Sequence, residues 1–248
     1  MSLPRFFYPD VIEPQAILDL PKELAHYMQR VLRLTDQTHI TLFNGQGGEF
    51  TAQIHYEGKQ VRAHILTFIS IERELPLRLT IAQGLATGDK MDWICEKSVE
   101  MGAYALQPIA AQHSTLKLSG ERLEKRLQHW QRIAQSASEQ CGRNQVLQVQ
   151  PLRTLHQLCQ SLTPDDLLLF CDPDAPHHFP DAIDQAISQQ RSHWILLIGP
   201  EGGWSDAEKK IALNAGAISM RFGARVLRTE TAAIALVGAI RGQLGWIE

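Results

Sequence analysis

The sequence predicts an α/β protein in two parts, a small β-barrel over residues 1–72 and a mostly parallel, helix-covered sheet over 73–248. Two observations carry this. Up to residue 70 short alternating strands follow one another through glycine turns, the pattern of half-buried antiparallel strands. Beyond "IERELPLRLT" (71–80) apolar runs alternate with helix-length stretches, which implies a parallel sheet with helices on both faces. A chain of 248 residues, 44% of them hydrophobic, can make one large α/β domain or two smaller ones with ample core.

In the first part, "THITLFN" (38–44), "EFTAQIHYE" (49–57) and "QVRAHILTFIS" (60–70) read as strands, with "NGQGG" (44–48) and "EGK" (57–59) as their turns. One amphipathic helix, "PKELAHYMQRVLR" (21–33), carries proline in its first turn. The second part opens with a strand, "LRLTIAQGLA" (77–86), a helix over 89–102, and a strand, "ALQPIAA" (105–111). A long polar helix covers 119–140, and "TLHQ" (154–157) has capping-box spacing before another helix. Buried strands follow at 166–172, 193–199 and 217–223, with a helix over 206–215 and a last one from Thr229 through "TAAIALVGAIRGQL".

Composition excludes several classes. A formal charge of −3 gives the whole molecule no electrostatic signature for nucleic acid, although a local basic patch is still open. Cys95, Cys141, Cys159 and Cys171 are dispersed with no C-x-x-C pair, so zinc-ribbon and thioredoxin-like sites lack their basic element. The paired histidines at 177–178 stand alone beside prolines, and no metal is expected. Neither a signal-peptide core nor a membrane span is visible, and the expectation is a cytoplasmic protein.

"IGPEGGWSDAEKK" (198–210) is a glycine turn between a buried strand and a helix. It is not a P-loop, because no glycine precedes Lys-Ser or Lys-Thr, and it does not match G-x-G-x-x-G. "GWSDA" (203–207) lacks the final glycine of a nucleophile elbow. The Ser205–Glu208 spacing is a capping box instead. Taken alone, the loop suits a plain turn and a main-chain ligand site equally. "FGARVLRTETAAIAL" (222–236) also starts where a strand ends, with Thr229 as the expected cap of the apolar helix that follows. Arg228, between a glycine turn and a buried helix, calls for an anionic partner. In an open α/β sheet, loops at the carboxyl ends of neighbouring strands share one crevice, so the loops after 166–172, 193–199 and 217–223 could share one ligand.

"LLIGPEGGWSDAE" together with "FGARVLRTETA" resembles the signature pair of the RsmE family, bacterial 16S rRNA uridine-N3 methyltransferases of the SPOUT class. "LPRFFY" (3–8), "HYMQRVLRL" (26–34), "GDKMDWICEKSVEMGAYALQPI" (88–109) and "HWQRIAQSASEQCGRN" (129–144) extend the likeness over the whole chain. The resemblance implies an N-terminal PUA-like RNA-binding barrel. It also implies a C-terminal domain whose chain forms a deep trefoil knot around S-adenosylmethionine. Ile198, Gly199, Pro200, Glu201, Gly202 and Gly203, with Phe222, Gly223, Val226, Leu227 and Arg228, would then hold that cofactor, and Phe170 would line its third side.

In this reading Arg228 stabilises the uracil anion or orients its phosphate. Glu201 and Glu230 handle the proton or orient Arg228, each also having a plain role as turn residue or helix cap. RNA contact is expected from Arg5, Arg30, Arg33, His113, Lys117 and Arg143, and a homodimer through the knot region, acting on 16S rRNA within the small ribosomal subunit, is implied. The chain departs from the family pattern at Phe222 (usually leucine), His113 (commonly arginine) and Leu147 (proline). Competing readings are a SPOUT enzyme with another acceptor, and a non-catalytic RNA-binding dimer. An α/β hydrolase is disfavoured by the missing elbow.

Overall fold

The computed structural model describes residues 3–58 and 60–246. The chain forms two compact units. One comprises the chain up to Glu74 together with Ser138–Val146; the other comprises Leu75–Ala137 and the chain from Leu147 onward. The sequence-based division at residue 72 does not foresee that Ser138–Val146 groups with the first unit.

The first unit holds β1 (Arg5–Phe7), β2 (Ile17–Asp19), α1 (Lys22–His26), β3 (His39–Phe43), β4 (Glu49–Glu57) and β5 (Gln60–Ile69). Its sheet runs β1-β3-β4-β5-β2, with β1 parallel to β3 and the other pairs antiparallel. Phe50, Ala52 and Ile54 of β4 and Val61, Ala63 and Ile65 of β5 enter one core with Met28, Ile40 and Leu42, as the period of two requires. β1 and β2 have three residues each, too few to display a period. Lys59, the third residue of the expected "EGK" turn, lies outside the described residues.

The expected continuous helix over 21–33 is interrupted. α1 passes directly into a π-helical turn over Tyr27–Val31, closed by Leu32 N–H donating to the Tyr27 carbonyl. The wide turn keeps Met28 fully buried while Val31 stays exposed. Ser138–Val146 is tied in by side chains. The Glu139 carboxylate accepts from Phe7 N–H at 3.0 Å, and Asn144 donates to the Ile71 carbonyl at 3.0 Å while accepting from Arg5 at 2.8 Å.

In the second unit the elements alternate: β6 (Arg78–Gly84), α2 (Lys90–Glu100), β7 (Ala105–Ile109), α3 (Gly120–Cys141, grouped with the first unit from Ser138 on), β8 (Gln148–Val149), α4 (Leu155–Gln160), β9 (Asp166–Cys171), α5 (Phe179–Ser188), β10 (His193–Ile198), α6 (Asp206–Asn214), β11 (Ile218–Met220) and α7 (Thr229–Gln243). All neighbours in the sheet are parallel, in the order β11-β9-β10-β6-β7-β8. The chain builds outward from β6 to β8, then crosses to β9, and β10 fills the place between β9 and β6. Strand order therefore reverses beside β10, and ligands bind outside the carboxyl ends of strands at such a switch point.

Capping boxes close at Thr154–Gln157 and Ser205–Glu208, as their spacing predicts. α5 was not anticipated, although Phe179, Ala182, Ile183 and Ala186 are buried at helical spacing behind Pro180. β11 is shorter than the expected 217–223, and the chain beyond Met220 leaves the sheet as an open loop apart from one bridge at Arg221.

Candidate functional site

Two loops leave the carboxyl ends of β10 and β11 and line one cleft of about 760 Å³. The first, 199–203, lies tightly against β6. A Cβ on Gly84 would fall 2.5 Å from Pro200 Cδ and 2.6 Å from Pro200 N, so only glycine lets these backbones meet. A Cβ on Gly202 would lie 2.9 Å from His113 Cβ, and His113 Nδ1 donates to the Gly202 carbonyl at 3.1 Å. Beneath the loop, the fully buried Gln83 donates its amide to Thr229 Oγ1 at 2.7 Å and to the Gly199 carbonyl at 3.2 Å. Thr229 in turn donates to the same carbonyl at 2.6 Å. Thr229 is therefore not the cap of α7. Arg228 holds the N-cap position, without a side-chain bond, and the threonine hydroxyl is committed to the neighbouring loop.

The second loop supplies open backbone. Among the described residues, no main-chain N–H from Phe222 through Arg228 finds a protein acceptor, whereas buried segments satisfy nearly all such groups internally. Val226 is 79% exposed. Phe222 sets its ring edge-on to Phe179 at 5.1 Å and faces the cleft, so the larger side chain is accommodated.

The charges are organised around Lys90, which the sequence reading missed. Lys90 Nζ donates to Glu201 Oε1 at 2.9 Å and lies 3.9 Å from Glu230 Oε2. Thr87 adds its N–H at 3.0 Å and its hydroxyl at 2.8 Å to the same Glu201 oxygen. Burial pushes the Glu201 carboxyl up, but the bonds from Lys90 and Thr87 outweigh it and hold the group at about 2. Glu201 is thus a firm anion and a weak base near neutrality, and its partner is Lys90, not Arg228. Glu230 Oε2 is buried and has no hydrogen-bond partner among the described residues. Asp172, Asp174 and Lys209, also missed, form an ion-pair group on the cleft wall, with Lys209 Nζ 2.9 Å from Asp172 Oδ2. A signal for Lys90 was present, since it stands in the "GDK" that opens a motif of the resemblance.

Of the expected cofactor residues, Ile198, Gly199, Pro200, Glu201, Gly202, Gly203, Phe222, Gly223, Val226, Leu227 and Arg228 all line the cleft. Phe170 does not. It is buried in the core behind the wall, 6.2 Å from Trp204, and Cys171 and Asp172 face the cleft in its place. Strand alternation sets Cys171 on the side opposite Phe170, and Asp172 lies beyond the end of β9, where alternation no longer applies. Arg228 is exposed and has no acidic partner among the described residues.

The expected RNA cations divide. Arg30 and Arg33 are exposed. Arg5 is engaged by Glu49, Asn144 and the Arg143 carbonyl, and Arg143 is buried against Glu74. These two hold the first unit together and are not surface cations. His113 is spent on Gly202, and Lys117 donates to the Ala111 and Gln112 carbonyls at 3.3 Å. Leu147 is fully buried. Among the described residues, no group of three or more potential ligands could hold a metal ion, and no helix is long and apolar enough to cross a membrane.

Residues 73–241 match the family model of an RNA methyltransferase domain, and 20–66 match that of an RNA methyltransferase PUA domain. The chain is 30% identical over 236 residues to ribosomal RNA small subunit methyltransferase E of Bacillus subtilis, covering 94% of this chain and 92% of that protein. The chain belongs to the RsmE family of ribosomal RNA small subunit methyltransferases. The corresponding protein of Synechocystis is 32% identical over 238 residues, 93% of this chain and 77% of the relative. Among solved structures, the RsmE protein of Neisseria gonorrhoeae bound to S-adenosylmethionine superposes with a TM-score of 0.89 at 33% identity, covering 97% and 98% of the two chains. A Legionella pneumophila protein, also with bound cofactor, gives 0.89 at 32% identity over 98% of each chain. The RsmE family is thus met in both units, and an α/β domain following a PUA-type domain is its architecture here.

Proposed function

We propose that the protein methylates N3 of a uridine in 16S rRNA, using S-adenosylmethionine as methyl donor. The convergence of 198–203 and 222–228 on one cleft carries this reading. The unpartnered N–H groups of 222–228 suit the polar edges of adenine and the amino-acid carboxylate, and Ile198, Leu227 and Leu236 suit the apolar parts of such a ligand. When bound, the cofactor supplies a methyl group activated by its sulfonium.

N3 of uridine must lose its imide proton as the new bond to carbon forms. Glu230, with a buried oxygen that no protein donor occupies, is the carboxylate free to accept it. Glu201 accepts from Lys90 and Thr87 at its Oε1 and positions Lys90 between the two acids. Arg228 faces the charge that develops on the pyrimidine oxygens, or a flanking phosphate. A target base within a duplex must be turned out to reach the cleft.

The finer architecture belongs to the same reading. The first unit is an RNA-binding module, and the protein works in the cytoplasm as a homodimer through the knot region, on rRNA of the small subunit. The chain path supports a threaded C-terminus: from β11 at the sheet edge it returns to the middle, where Thr229 is held between Gly199 and Gln83.

Mass spectrometry of 16S rRNA fragments from a strain lacking the gene tests this proposal. Loss of one N3-methyluridine, restored by the intact chain and not by an Arg228→Ala variant, is the expected result. An unchanged set of modified uridines overturns it.

A further inference from the structure

We infer that the outer face of α3 is the track that grips the phosphate backbone of the RNA; this rests on the methyltransferase reading above. Between His113 and Arg132 the chain carries five Lys or Arg against two Glu, an excess of three positive charges in a molecule whose total is −3. On a helix of 3.6 residues per turn, Arg122, Lys125, Arg126, His129 and Arg132 fall within an arc of about 120°. The register of that arc is set by the core, because Trp130, Ala134 and Ala137 are buried on another side of the same helix. Glu121, Arg122, Lys125, Arg126 and His129 line a shallow depression of about 460 Å³.

Not all of this charge is neutralised internally. Lys125 pairs with Glu121, and Arg126 reaches Asp92 only at 4.0 Å. Arg122 and Arg132 are exposed and have no acidic partner among the described residues. With Arg5 and Arg143 consumed inside the first unit, the cations that meet RNA must come in part from elsewhere, and α3 offers Arg122 and Arg132 on one face.

The stripe also lies beside the cleft. The first turn of α2 carries Lys90, which bonds Glu201 at the cleft, and Asp92, which bonds His129 at 2.8 Å and Trp130 at 2.9 Å on α3. One helical turn therefore links the acids of the site to the middle of the basic face. The stripe presents no exposed Phe, Tyr or Trp ring, since Trp130 is buried. Its chemistry is phosphate neutralisation, which positions a strand without reading its bases.

The test uses the full chain with Arg122, Arg126 and Arg132 all changed to Gln. Affinity for a 16S rRNA fragment is followed by fluorescence anisotropy across salt, S-adenosylmethionine affinity by calorimetry, and methylation as kcat and KM. The triple variant should bind RNA at least tenfold more weakly at low salt, with a salt slope shallower by about 2–3 phosphate contacts. KM for RNA should rise with kcat and cofactor affinity nearly unchanged. If the triple variant does not fold, Arg122→Gln alone should lower the slope by about one contact.

An unaltered slope and affinity overturn the assignment. So does loss of a protein partner while RNA binding is intact. Wild-type protein that neither binds the cofactor nor methylates rRNA would instead overturn the enzymatic reading beneath it.

Discussion

The Thr229 hydroxyl donates to the Gly199 carbonyl across 2.6 Å, joining the start of α7 to the loop after β10. Because the hydroxyl also accepts from Gln83, Thr229→Val removes one hydrogen bond from the buried Gln83 amide and one from the part-buried Gly199 carbonyl, leaving only their mutual contact at 3.2 Å across this junction. Unfolding in urea should show a loss of about 1–3 kcal/mol, and cofactor affinity should fall with it. Thr229→Ser, which keeps the hydroxyl, should retain most of both.

Glu201 predicts a defined pH signature. Its folded value, about 2, lies below the ordinary 4.5, so its contribution to stability is complete above the unfolded value. That contribution is lost as pH falls from about 4.5 toward about 2. Denaturant melts across that window should lose more stability in the wild type than in Glu201→Gln. Parallel pH profiles for the two proteins would contradict the Lys90–Glu201 arrangement.

Arg228→Ala should abolish methyl transfer, by 100-fold or more, while calorimetry finds cofactor affinity changed by less than about threefold. The side chain is exposed and has no acidic partner among the described residues, so stability should stay within about 0.5 kcal/mol. Equal loss of cofactor binding and turnover would remove Arg228 from the chemistry.

Gly84→Ala tests the closeness of β6 and the first loop. The new methyl group would meet Pro200 backbone and ring at 2.5–2.6 Å, and neither can swing away as a flexible side chain would. Overpacking of this kind costs about 1–3 kcal/mol. Displacement of 199–203 should also weaken S-adenosylmethionine binding at least tenfold by calorimetry.

Arg143→Ala should act as a folding mutation. Removing one partner of a buried ion pair costs about 3–5 kcal/mol, and Arg143 is buried against Glu74. Chemical denaturation should reveal that loss. Arg30→Ala, at an exposed position, should leave stability unchanged in the same measurement.

These outcomes trace what was legible in the chain. The strands β4 and β5 could be read from period-two alternation, and the Thr154–Gln157 and Ser205–Glu208 boxes from three-residue spacing. Such patterns need only residues within a turn or two of each other. The two glycine loops were legible as a pair because each follows a buried strand, and parallel strands deliver their carboxyl ends to one side. The π-turn at Tyr27–Val31 was not legible, since a helical period does not show where one residue will be inserted.

By itself, then, the sequence determined the alternation of elements, the caps and the motifs that mark the family. Only the tertiary structure decided what each polar side chain does. It spent Arg5 and Arg143 on acids and a carbonyl inside the first unit, and turned Phe170 into the core. It brought Lys90 to Glu201 across 111 residues of chain, and Thr229 to Gln83 across 146. The reason is physical. Periodicity and capping are local, whereas the partner of a charge or a buried hydroxyl is whichever distant segment the packed strand order sets beside it.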